Sequence, residues 1–140
     1  MLGAMSQGRE NANVGMTLRF EIFPSDLDAT ADFYTRVLGF HITDDRRAEA
    51  EPYIAFRRDD VRVGALRDMV KPPSSDRRPP VGVELVFEVD DVDAELAQVR
   101  ASDWPIEEDL VERPWGLRDF RILDPSGYYL RVTARERARP

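Results

Sequence analysis

No cysteine occurs in this chain, and it holds a single histidine (His41) and a single lysine (Lys71). The first absence excludes a disulfide framework, a thiolate metal site and a cysteine nucleophile. The scarcity of histidine removes the residue on which most metal sites and Ser-His-Asp triads are built, and a lone histidine is more often a packing or surface residue than a ligand. No apolar run approaches the ~18 residues of a membrane span. Residues 1–15 lack the apolar core of a signal peptide, so a cytoplasmic location is expected. No glycine-rich phosphate loop is present. The formal net charge of −7 argues against nucleic acid as a partner.

With 140 residues, 42% of them hydrophobic and 34% charged, the chain has room for one soluble domain, or for two small halves sharing a core. Its positive charge is almost all arginine. Arginine suits bidentate contact with carboxylates, although a biased genome composition produces the same excess. The stretch Phe20 to Phe40, FEIFPSDLDATADFYTRVLGF, reads as a strand, a capped helix and the start of a second strand. The plan returns at Val83 to Ile106, where Asp91, Val92, Asp93 and Ala94 match Asp26, Leu27, Asp28 and Ala29 at an offset of 65 residues. Two copies of so long a unit make a duplicated module, not a solenoid.

Around Phe20, the residues Leu18, Phe20 and Ile22 alternate with Arg19, Glu21 and Phe23, the period of a strand with one apolar face. Pro24 ends it, and Ser25 or Asp26 caps the helix, which stops at Gly39. Strands are expected over Phe40–Asp44, Tyr53–Arg57 and Val61–Leu66, with Asp59-Asp60 as a tight turn. The second half repeats this with a strand at Val81–Val89, a helix capped by Asp90 or Asp91, and strands at Ile106–Val111, Leu117–Leu123 and Tyr128–Thr133. The domain reading is a disordered lead or tag remnant (1–16), a first βαβββ module (17–68), a proline-rich linker (69–80), a second βαβββ module (81–134) and a tail (135–140). The fold class is α+β. Two modules should build a curved, eight-strand mixed sheet, a cup with helices on its apolar outer face and the polar parity of each strand inside.

Asp26-Leu27, the run Phe33 to Phe40 (FYTRVLGF), the run Phe87 to Ala94 (FEVDDVDA), Arg113-Pro114-Trp115-Gly116 and Asp124-Pro125-Ser126-Gly127 together resemble the vicinal oxygen chelate superfamily, which includes glyoxalase I, extradiol dioxygenases and bleomycin resistance proteins. The likeness spans about residues 17 to 134. It implies a homodimer whose cups are completed by strand-swapped modules of both chains. It also implies, for metal-dependent members, one divalent ion held by His, Gln or Glu from the first and fourth strands of the modules. Carried onto this chain, those positions are Arg19, Gly64, Glu84 and Arg131. Only Glu84 is a metal ligand, because a guanidinium offers no lone pair. His41 lies outside them. No metal and no cofactor are expected.

Arg19, Glu21, Glu84, Glu88, Tyr129 and Arg131 share the parity of the cup, as do Phe23 and Tyr53. These charges read either as a salt-bridged network sealing the space of a lost metal or as a ligand clamp, and the two are compatible. Trp115, in a hairpin loop, packs its own hairpin or walls the cup. Trp104 reads as packing at the end of the second helix. The expected ligand site is therefore Arg19, Glu21, Phe23, Tyr53, Glu84, Glu88, Trp115, Tyr129 and Arg131. The leading expectation is a metal-free small-molecule-binding protein like the bleomycin resistance branch, sequestering an antibiotic or aromatic metabolite without catalytic residues. The alternative is an enzyme of the superfamily, a metal-dependent or Glu84-based lyase, isomerase or dioxygenase. A third is a dimeric accessory subunit without a ligand.

Overall fold

Asp26 and Asp91 each accept a hydrogen bond from the amide three residues on, Ala29 and Ala94, at 3.0 Å, so both helices start on the same aspartate cap. Of the two cap candidates in each module, the structure selects the second. In this computed structural model the described residues are 15–67 and 82–135. The expected linker at 69–80, most of the lead and most of the tail lie outside them. β1 (Arg19–Ile22) is followed by α1 (Leu27–Asp32), which runs into a π-helical turn (Phe33–Val37), and then by β2 (His41–Asp45), β3 (Tyr53–Arg58) and β4 (Val61–Leu66). The second module has β5 (Leu85–Val89), α2 (Val92–Ala101), β6 (Glu108–Glu112), β7 (Arg118–Leu123) and β8 (Tyr129–Ala134).

The strands form two four-stranded mixed sheets, β1-β4-β3-β2 and β5-β8-β7-β6, with no closed barrel. β1 runs parallel to β4 and β5 parallel to β8; the other neighbours are antiparallel. Within the described residues β1 and β5 are edge strands of separate sheets, so the eight strands are not hydrogen-bonded into one. A single core joins the modules all the same. Phe20 of β1 stacks on Phe87 of β5 with centroids 6.1 Å apart, and Phe87 also meets Phe40.

The helix of the first module differs from the plain α-helix that its spacing predicts. Its last turn is π-helical, with the Leu38 amide bonded to the Phe33 carbonyl at 3.2 Å, before Gly39 exits at φ 74°. Inserting a residue this way re-aims the following side chains. Phe33, Tyr34 and Val37 are all fully buried. The Tyr34 hydroxyl donates to Asp124 Oδ2 at 3.0 Å, and Asp124 Oδ1 accepts from the amides of Ser126 and Tyr128. The π-helical turn therefore holds the Asp-Pro-Ser-Gly turn of the other module. Trp104 is packing, as its position implies: its indole N–H donates to the Leu123 carbonyl at 2.8 Å and its ring lies against Phe33.

Candidate functional site

The polar parity of each sheet gathers into a separate cluster. On the first sheet Glu21 stands directly across from Gly64, and Arg19 across from Arg62. Arg19 Nε lies 3.4 Å from the Glu21 carboxylate. A Cβ at Gly64 would overlap the Glu21 carboxyl and come within 2.5 Å of the Tyr53 hydroxyl, so these two groups occupy the space a side chain there would fill. Burial raises the Tyr53 phenol above its ordinary value, with the Glu21 carboxylate adding to the shift and the Arg19 guanidinium opposing it. Beside them a depression of about 580 Å³ is lined by Asp44, Arg46, Glu49, Tyr53 and Leu66.

On the second sheet the same face is an ionic network. Asp119 of β7, with no exposed side chain, accepts on Oδ1 from Arg113 Nε at 3.0 Å and Nη2 at 2.9 Å. Arg113 also binds Glu108, and these two carboxylates raise its guanidinium further above its ordinary value, the Asp119 bonds contributing most. Arg121 and Arg131 face each other across β7 and β8, and Glu84 lies 3.5 Å from the first and 3.4 Å from the second. Arg121 donates to the Tyr129 hydroxyl at 3.1 Å and lies over that ring at 5.6 Å.

Of the residues expected from the sequence, Arg19, Glu21 and Tyr53 meet on the first sheet, and Glu84, Tyr129 and Arg131 on the second. Among the described residues their ion pairs and side-chain hydrogen bonds stay within each sheet's cluster. Phe23 is 46% exposed and its amide donates to the Tyr128 hydroxyl at the module junction. Glu88 is exposed, and so is Trp115, at 60%, on the turn between β6 and β7. Arg113, Asp119, Arg121 and Glu108 were not among the expected residues. The alternation Asp119, Arg121 around the buried Phe120 and Ile122 carries their signal in the sequence.

The family model for the Glyoxalase/Bleomycin resistance protein/Dioxygenase superfamily matches residues 17–132. The chain belongs to this superfamily. Among solved structures its fold is similar to TioX from Micromonospora sp. ML1, with a TM-score of 0.70 and 22% identity over 87% of this chain and 100% of that one. It is also similar to TnmS3, an antibiotic binding protein from Streptomyces sp. CB03234, at a TM-score of 0.66 and 20% identity over 88% and 98% of the two chains. A lactoylglutathione lyase from Agrobacterium tumefaciens aligns at 0.65 and 21% identity over 86% and 93%. No curated protein matches the chain in sequence.

Some superfamily members use a divalent metal, so the residues at the corresponding positions bear on that chemistry. The sheet register keeps the two modules in step: Gly64 faces Glu21 and Arg131 faces Val86, and Glu21 and Val86 are 65 residues apart. In the second module Arg121 and Arg131 flank the Glu84 carboxylate with positive charge. Among the described residues no group of three or more His, Cys, Asp or Glu side chains converges as a metal set would. The residues at these positions do not fit a divalent ion. No helix among the described residues is long and apolar enough to cross a membrane.

Proposed function

We propose that this protein is a metal-free small-molecule binder of the glyoxalase/bleomycin resistance fold that sequesters an antibiotic or aromatic metabolite unchanged. One observation carries the reading: guanidinium groups, Arg131 with Arg121 behind it, flank the one carboxylate that remains at the family's metal positions. The description of TnmS3 as an antibiotic binding protein lends it support. The binding residues would be Arg19, Glu21, Phe23, Tyr53, Glu84, Glu88, Trp115, Tyr129 and Arg131. Charged groups fix orientation, and the exposed aromatics supply flat apolar area. We place the protein in the cytoplasm as a homodimer with strand-swapped modules. The outer edges of β1 and β5, preceded by the exposed Leu18 and Val83, are the strands such a partner would pair with.

The test has two arms on the full chain. Protein purified without chelator is analysed for nickel, zinc, iron and manganese, with none expected at stoichiometric level. A panel of antibiotics and aromatic acids is then screened by thermal shift, where a ligand that binds only the folded state raises the melting temperature. Stoichiometric metal would replace this reading by the enzymatic one, in which Glu84 is the ligand or base. A wholly silent panel would favour the accessory-subunit reading.

A further inference from the structure

On the second sheet charge balances but hydrogen bonding does not. Arg113, Arg121 and Arg131 face Glu84, Glu108 and Asp119, three cations against three anions. Yet Oδ2 of the fully buried Asp119 has no donor; Arg131 Nη1 stays 3.9 Å away. The buried Nε–H groups of Arg121 and Arg131 make no hydrogen bond either, although Glu108 Oε1 lies 3.4 Å from Arg121 Nε. Elsewhere arginine–carboxylate pairs are closely bonded, as between Arg58 and Glu95 at 2.9 Å or Arg36 and Asp32 at 2.9 Å. Arg121 and Arg131 are cross-strand partners and Asp119 is two residues along β7 on the same face, so the three side chains share one patch of the sheet, where Arg131 Nη1 comes to 3.9 Å from Asp119 Oδ2. Buried polar atoms left open are costly and ask for an occupant.

Building on the binding reading above, we propose that this patch recognises a neutral carbonyl group carrying its own N–H or O–H donor, of which a carboxamide is the simplest case. The carbonyl oxygen accepts from Nε of Arg131 and, displacing the loose Glu108 contact, from Nε of Arg121, and the adjacent N–H donates to Asp119 Oδ2. A carboxylate lacks the donor and meets Asp119 as a like charge; an amidinium lacks the acceptor and meets two guanidiniums. Because the cluster is already neutral, an ionic guest leaves a net charge in a half-buried site. Glu84 is the movable part. Its side chain is 36% exposed, and it sits ahead of β5, held by Arg121 and Arg131 at 3.5 and 3.4 Å without a hydrogen bond among the described residues. The Tyr129 ring beside it offers a face for the body of an aromatic ligand.

Benzamide, benzoate and benzamidine share a shape and differ in charge and donors. Their binding to the full chain is followed by NMR at the Nε–H resonances of Arg121 and Arg131. Benzamide is expected to move both resonances and to bind about tenfold or more tightly than either ion, the effect of a mispaired buried hydrogen bond. Two variants test the charge balance: Glu84→Gln is expected to shift preference toward benzoate, and Arg131→Gln toward benzamidine. Benzoate or benzamidine binding the unaltered protein as tightly as benzamide overturns the proposal. So does a patch whose resonances respond to none of the three, its open atoms being met by resident water alone. If an antibiotic from the panel raises the melting temperature while these probes leave the patch untouched, the binding reading stands and this inference falls. Stoichiometric metal with no small-molecule response removes the binding reading itself.

Discussion

In the first module the cup-facing position on the fourth strand is Gly64, and Glu21 on the neighbouring strand lays its carboxyl over the bare backbone. In the second module the same position is Arg131, and the short Val86 stands where Glu21 would be. Each parallel strand pair thus has room for one long polar side chain at this level, contributed by β1 in one module and by β8 in the other. Duplication preserved the backbone register and the space to be filled, and left the chemistry of the filler open. One face became a carboxylate–phenol pair beside an open depression. The other became a network of three arginines and three carboxylates that leaves Asp119 Oδ2 and two guanidinium Nε atoms without a hydrogen bond.

The sharpest way to break this contrast is to take the ionic face apart. Asp119→Ala removes a fully buried carboxylate and is expected to cost about 3 kcal/mol in urea denaturation, in the range for breaking a buried ion pair. A loss below ~1 kcal/mol would mean that the network stores little stability. Next is the bond that couples the modules. Tyr34→Phe deletes the buried hydroxyl held by Asp124 and should cost about 1–2 kcal/mol.

The same tyrosine gives a pH signature. Burial first, and the Asp124 charge second, push the Tyr34 phenol well above its ordinary 10.0. The unfolded chain releases this proton above pH 10 while the folded chain keeps it. Its contribution is therefore fully present below pH 10 and declines as pH rises further. Alkaline unfolding should be less steep in Tyr34→Phe than in the parent protein.

A smaller effect tests the open face. Gly64→Ala forces the Glu21 carboxyl and Tyr53 hydroxyl aside, both far ends of mobile side chains, and should cost roughly 1 kcal/mol or less. In a Glu21→Ala background most of that cost should vanish, and a cost that persists would place the clash elsewhere. Smallest is Trp115→Ala. At 60% exposed, it should change stability by less than about 0.5 kcal/mol while weakening whichever panel ligand binds, if the hairpin walls the site.

What the sequence determined by itself is what short-range physics encodes. Alternation set the faces of the strands, aspartates set both helix starts, and the 65-residue offset exposed the duplicated module and its equivalent positions. Even the guanidinium at Arg131 and the bare backbone at Gly64 are written in the sequence. Tertiary structure alone decided what those positions touch. Arg113 reaches Asp119 through a hairpin, Arg121 meets Arg131 across two strands, and Tyr34 finds Asp124 across the module boundary. The same holds for the division of eight strands into two sheets and for the π-helical turn. Such contacts join residues on different strands or modules, from 6 to 90 positions apart, and depend on the fit between side chains. Local periodicity carries no record of them.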